Sequence, residues 1–189
     1  MQGKRYEILD GLPSYGPMYI PISQDGIPFY SEGFVVRFYK SDGTNWVANF
    51  KSGWTNFSGV YDFPEFNRTV IFAFGQCYIM VDHEQKPLKA FGVGFTNVFQ
   101  TDDNILIAVD QTDFTVIEVG SDTVWHSERT SWDGFKDIAF SGDYVTGLAY
   151  ELTSDEGEWR PFSFNFRIKE IVGGAYHLQE NSKPWWKLW

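Results

Sequence analysis

Carboxylates in clusters, three histidines and an excess of aromatic rings are the residues of this chain that could do chemistry. The carboxylates gather as Asp102-Asp103, as Asp110 with Asp113, and as Asp155-Glu156-Gly157-Glu158. Two carboxyl groups roughly 5–9 Å apart across a cleft can hydrolyse a glycosidic bond. Asp102 and Asp113, however, flank a strand expected over residues 104–109, which at about 3.3 Å per residue holds them nearly 20 Å apart. The Asp-x-Asp-x-Asp-Gly spacing of a calcium loop is also missing. Each cluster therefore reads as a solvated turn, and together the acids supply a negative potential that steers a basic partner.

His83 sits between Asp82 and Glu84. Successive strand residues point to opposite faces, so these three cannot converge on one ion, and no metal site is expected. His126 and His177 lie in strand-like segments beside aromatics and read as packed or edge-facing rings. Cys77 is the only cysteine, which excludes an intramolecular disulfide. It falls inside an alternating strand and reads as a small buried hydrophobe. The chain carries no Gly-x-Ser-x-Gly elbow, His-Glu-x-x-His, phosphate-binding Gly-x-x-x-x-Gly-Lys or Cys-x-x-Cys. Neither enzymatic activity nor a cofactor is expected.

The elements that must position these groups are strands. Aromatic residues make up 19% of the 189 residues, alongside 18 glycines, a composition suited to pleated strands joined by tight turns. Period-2 alternation recurs and helical periodicity does not. Residues 69–74 and 77–82 flank Gly75-Gln76, a hairpin signal compatible with a type II′ turn. Further hairpins are expected for 104–109 with 114–119, for 136–140 with 144–150, and for 159–168 with 171–177. In the last of these Phe162, Phe164, Phe166 and Ile168 share one face, expected to be buried.

Three phrases align: Gly53-Trp54-Thr55-Asn56-Phe57, Gly94-Phe95-Thr96-Asn97-Val98 and Ser131-Trp132-Asp133-Gly134-Phe135, with a degenerate fourth at Ser14-Tyr15-Gly16-Pro17. The aromatics fall at 15, 54, 95 and 132, intervals of 39, 41 and 37 residues. A unit of about 40 residues with three or four strands is the size of a propeller blade. The expected fold is one all-β domain over 1–189, with about four blade-like antiparallel units resembling a small β-propeller. A β-sandwich or a curved β-meander is the alternative. Tyr15, Trp54, Phe95 and Trp132 are expected at equivalent places, with Trp54, Phe95 and Trp132 mainly as core; residues 172–176 would start a fifth unit or complete the first.

The phrases Trp125-His126-Ser127-Glu128-Arg129-Thr130-Ser131-Trp132-Asp133-Gly134, Gly147-Leu148-Ala149-Tyr150 and Gly173-Gly174-Ala175-Tyr176 resemble a pattern in small uncharacterised bacterial proteins rich in β-structure. The resemblance covers the second half of the chain. It implies a bacterial β-rich fold and carries no activity.

Charge and termini bound the partners. With 15 basic against 25 acidic residues the net charge is −10, which argues against nucleic acid, because binding it requires cations to neutralise phosphates. The start of the chain has no apolar run of a secretory signal's length, and no stretch approaches the roughly 18 apolar residues of a membrane span. A cytoplasmic location away from the membrane is expected. The function expected is that of a non-enzymatic protein-binding module, an inhibitor or immunity-type protein that covers a basic partner. Its contacts would come from Asp102, Asp103, Asp155, Glu156, Glu158 and Trp186. A β-protein binding a carbohydrate or small ligand through exposed Trp and Tyr is the second reading, and an enzyme with an unrecognised site the third. The ending Pro184-Trp185-Trp186-Lys187-Leu188-Trp189 holds too much apolar area to leave in water. Trp185 and Trp189 are expected to pack on the body.

Overall fold

The computed structural model describes residues 5–16, 18–81, 84–152 and 157–176. Asp82, His83, Asp155, Glu156, His177 and the Trp-rich ending with Trp186 lie outside the described residues. The described chain is all-β, with sixteen strands, two single 3-10 turns and no α-helix.

Four four-stranded sheets follow one another along the chain. The first holds β1 (Tyr6–Leu9), β2 (Ile20–Ile22), β3 (Phe34–Tyr39) and β4 (Asn45–Phe50) in the order β1-β3-β4-β2. Its β2 pairs parallel to β4, with Ile20 opposite Ala48. The other three are antiparallel meanders. The second runs β5 (Gly59–Phe63), β6 (Arg68–Ala73), β7 (Gln76–Val81) and β8 (Pro87–Phe91). The third runs β9 (Asn97–Gln100), β10 (Ile105–Val109), β11 (Phe114–Glu118) and β12 (Thr123–His126). The fourth runs β13 (Phe135–Ser141), β14 (Tyr144–Glu151), β15 (Glu158–Asn165) and β16 (Glu170–Gly173). These are the blade-like units expected, and β16 completes the fourth of them rather than starting a fifth.

Alternation along each strand decides how the sheets pack. In β6 and β7 the odd-even split sends Val70, Phe72, Cys77 and Ile79 toward Leu106, Ala108 and Ile117 of the third sheet. Ile71, Ala73, Tyr78 and Met80 go the other way, onto Val36, Trp46, Ala48 and Phe50 of the first. A third cluster joins Ile107, Val109, Phe114 and Val116 to Val145, Phe162, Phe164 and Phe166 of the fourth. The two middle sheets are therefore buried on both faces, and their inner strands β6, β7, β10 and β11 read as near-continuous apolar runs. Cys77 lies wholly inside, and burial pushes its thiol well above the usual range, where it is inert. Ile168, expected on the buried face of β15, is instead 66% exposed, because the strand ends at Asn165 and the chain turns through Lys169 at φ 60°.

The aligned phrases turn out to be the connectors. Trp54 lies between the first and second sheets, Phe95 between the second and third, and Trp132 between the third and fourth. Tyr15 is not equivalent: it lies between β1 and β2 inside the first sheet and is 93% exposed. The expectation of core fails at Trp54, which is 83% exposed, holds at Phe95, which is 1% exposed, and holds in part at Trp132. Connector backbones are pinned whatever their side chains do. Gly53 N–H donates to Ala73 C=O, Trp54 N–H to Val93 C=O, and Thr55 N–H to Phe74 C=O, at 2.9, 2.7 and 2.9 Å. The same capping of the hairpin tip moves the turn by one residue. Phe74 and Gly75, at φ 49° and 90°, form the two-residue loop, and Gln76 joins β7 opposite Ala73. Positive φ at both positions is the type I′ pattern, whose twist suits a hairpin.

Ion pairs stitch each boundary at one end of the strands. Arg5 meets Asp62 at 3.5 Å between the first and second sheets. Arg68 meets Asp122 in a fork of two 2.7 Å bonds between the second and third. Lys169 meets Glu118 at 3.1 Å between the third and fourth. Among the described residues no helix is long and apolar enough to cross a membrane.

Candidate functional site

At that same end, three turns of the third and fourth sheets meet around Arg167. The turn from β9 to β10 is made rigid by Thr101: its N–H donates to Ile105 C=O at 3.0 Å, and its hydroxyl accepts from Ile105 N–H at 3.0 Å. Asn104 closes the turn in the left-handed region at φ 65°. This places Asp103 with its Oδ1 accepting from the Thr101 hydroxyl at 2.6 Å. The turn from β15 to β16 brings Arg167, whose Nη1 and Nη2 fork onto the two oxygens of Asp103, the second at 3.0 Å. Its Nε donates to Asp143, in the turn from β13 to β14, at 3.1 Å. The guanidinium also lies 5.0 Å from the centre of the Phe166 ring.

An open groove with a volume of about 530 Å³ runs beside this cluster, lined by Gln100, Thr101, Asp102, Asp103, Phe140, Gly142, Asp143 and Arg167. Phe140 is held from behind, stacked on Phe99 at 5.4 Å and tilted against Phe166 at 6.0 Å. Three carboxylates against one guanidinium leave the groove net acidic. Asp103 and Asp143 are engaged with Arg167, while Asp102 is exposed and makes no hydrogen bond or ion pair among the described residues.

Hydrogen bonds from Arg167, then from Thr101, hold the Asp103 carboxyl down to about 2, against an ordinary 3.8. A depressed folded value stabilises above the ordinary range and is lost as the pH falls through about 2. The pair is half exposed, so solvent screens that contribution. In Arg167→Ala the Asp103 carboxyl is expected to titrate upward, toward the ordinary carboxylate range, by carbon-detected NMR. A midpoint unmoved near 2 would assign the effect to Thr101 instead.

Of the residues expected to touch a partner, Asp102 and Asp103 line the groove. Glu158 does not. It starts β15, eight residues of strand from the end that leads into Arg167, about 26 Å away, and pairs with Arg160 at 2.8 Å. Asp155, Glu156 and Trp186 lie outside the described residues. Phe140, Asp143 and Arg167 complete the groove and belong to no local motif. Their signal in the sequence is only that each falls in or beside a turn on the same end of a hairpin.

Among the described residues, Asp113 and His126 stand apart from this groove. Asp113 is half-buried at the opposite end of the third sheet, and burial pushes its carboxyl up, partly offset by a hydrogen bond from the Thr112 hydroxyl at 2.9 Å. His126 packs edge-on against Phe91 at 5.5 Å, and its Nδ1 shares a 2.8 Å hydrogen bond with the Thr115 hydroxyl. Among the described residues no three His, Cys, Asp or Glu side chains are grouped to hold a metal ion. Comparison with family models, with curated proteins and with solved structures finds no match to this chain.

Proposed function

We propose that the protein is a binding module whose groove between the third and fourth sheets accepts a basic side chain of a protein partner. The observation that carries this reading is Asp102, an unengaged carboxylate on a rigid turn beside the apolar floor of Phe140. A lysine or arginine side chain has the matching form, with an apolar stem for the ring and a charged head for the carboxylate. The Arg167 fork supports it by engaging Asp103 and Asp143, which leaves Asp102 as the one lining carboxylate with no partner among the described residues. The net charge of −10 adds long-range steering of a basic surface toward the protein.

The test uses a short arginine-containing peptide as probe, titrated into the full chain at low and at physiological salt. Asp102→Asn is expected to weaken binding about tenfold, the worth of a charge-assisted hydrogen bond near 1.4 kcal/mol. Glu65→Gln removes the same charge from an exposed position elsewhere and is expected to change affinity less than twofold. Equal losses in the two variants would show net charge acting without a site, and the reading would fall.

A second reading rests on Trp54, whose backbone is pinned by the 2.7 Å bond to Val93 while its ring stands 83% exposed. A fixed, solvent-facing indole is a platform for a sugar ring. This reading requires Trp54→Ala to abolish retardation in a polysaccharide-containing gel.

A further inference from the structure

The groove beside Arg167 is lined by two unengaged acceptors, one on each side of Thr101. Asp102 supplies a carboxylate with no partner among the described residues. Gln100, the last residue of β9, is exposed, and its side-chain amide also makes no hydrogen bond among the described residues. Thr101 between them is held on three sides. Its hydroxyl donates to Asp103 Oδ1 at 2.6 Å and accepts from Ile105 N–H at 3.0 Å, while its own N–H reaches Ile105 C=O at 3.0 Å. Two positions apart, the Cα atoms of Gln100 and Asp102 are at most about 7 Å from each other. A fixed pair of acceptors at that spacing suits one planar group that donates from several nitrogens.

The protein already holds such a group at this end of the sheets. Arg167 forks onto both oxygens of Asp103, gives its Nε to Asp143 at 3.1 Å, and lies 5.0 Å from the centre of the Phe166 ring. Phe140 lies 6.0 Å from that ring and lines the groove. Asp102, Gln100 and Phe140 thus repeat the set that Arg167 uses: two acceptors and an aromatic ring. A guanidinium is planar and weakly hydrated, and it stacks on a ring while its fork donates in two directions. An ammonium is a compact, strongly hydrated point charge that keeps its water in an open groove, so lysine gains little beyond screened attraction. The charge of Arg167 does not bar a second cation, because Asp102, Asp103 and Asp143 outnumber it on the same groove.

We propose that the groove selects arginine over lysine, with Asp102 accepting the fork, the Gln100 side-chain oxygen accepting a further guanidinium N–H, and the guanidinium plane lying on Phe140. The proposal rests on the basic-side-chain reading and narrows the partner to a protein that presents an exposed arginine. Gln100 is the residue that makes the distinction.

The test titrates two blocked glycine peptides, one with a central arginine and one with a central lysine, into the full chain at physiological salt. Amide shifts at residues 100–103 and 140–143 report occupancy of the groove. The arginine peptide is expected to bind about fivefold tighter, the effect of one further hydrogen bond from a charged donor after solvent screening. Gln100→Ala trims an exposed side chain at a strand end, which leaves the fold intact. In that variant the arginine peptide is expected to weaken about fivefold and the lysine peptide less than twofold, so the ratio falls toward one. A loosened turn would weaken both peptides alike and leave the ratio unchanged. Equal affinities with shifts at the groove, or a preference for lysine, would overturn the selection of arginine while the basic-side-chain reading stands. An unchanged ratio in Gln100→Ala would overturn the role of Gln100. Saturable shifts at the groove with neither peptide would overturn both the proposal and the reading beneath it.

Discussion

Phe114→Ala is expected to destabilise the protein by about 3–5 kcal/mol in denaturant unfolding, the range for deleting a fully buried large ring. Phe114 opens β11 with no exposure and is ringed by Phe135 at 4.8 Å, Phe164 at 5.1 Å and Phe162 at 5.3 Å. Two of those rings come from β15 and one from β13, so the cavity would open between the third and fourth sheets. Close packing from several strands leaves little room for collapse into the void. Trp54→Ala supplies the contrast: an aromatic at a repeated connector position, but a solvent-facing one, expected to change stability by no more than about 0.5 kcal/mol. Similar losses for the two variants would contradict the placement of the core between the sheets.

Gly75→Ala is expected to cost about 2–4 kcal/mol, for two reasons that act together. The residue sits at φ 90°, where a Cβ is disfavoured by about 1–2 kcal/mol. An added Cβ would also lie 2.6 Å from the Thr55 hydroxyl and 2.8 Å from the Val93 carbonyl oxygen. Those are connector groups, and the connector is held by its own bonds to Ala73, Phe74 and Val93. Relief of the contact must therefore loosen the joint between the first three sheets. A variant with an unchanged melting temperature would show that the hairpin tip and the connectors are not a rigid unit. Gly142, at φ 57° with nothing within 4 Å of an added Cβ, isolates the backbone part of the cost and is expected to lose about 1 kcal/mol as alanine.

Local pattern carried the hairpins, because alternation and turn residues lie within a dozen positions of each other. The loop 110–113 and the pairing of Val109 with Phe114 follow from it. The shift at Phe74-Gly75 does not, since it depends on a connector that caps the turn from twenty residues upstream. The repeat in the aromatics marked the connectors, since Trp54, Phe95 and Trp132 each lie between successive sheets. Their burial could not be read from it. Phe95 is enclosed because Phe72 and Phe91 close on it at 5.5 and 6.1 Å, whereas Trp54 has a fixed backbone and an open side. The parallel pairing of β2 with β4 was equally hidden, being a three-residue contact between segments almost thirty positions apart. For the groove, Asp102 and Asp103 stood out as neighbours in sequence. Arg167 stands 64 residues from Asp103, and only sheet packing brings the two together. Glu158 shows the reverse: acidic neighbours in a run suggest one surface, yet a strand of eight residues carries it away from the groove.

The most direct measurement of the central claim is an amide chemical-shift map of the full chain titrated with the arginine-containing peptide at physiological salt. The account expects saturable shifts concentrated at residues 100–103, at Phe140, Gly142 and Asp143, and at Arg167, and expects them to vanish in Asp102→Asn. Shifts spread evenly over the acidic surface, or centred on another part of the chain such as the exposed face at Trp54, would contradict it.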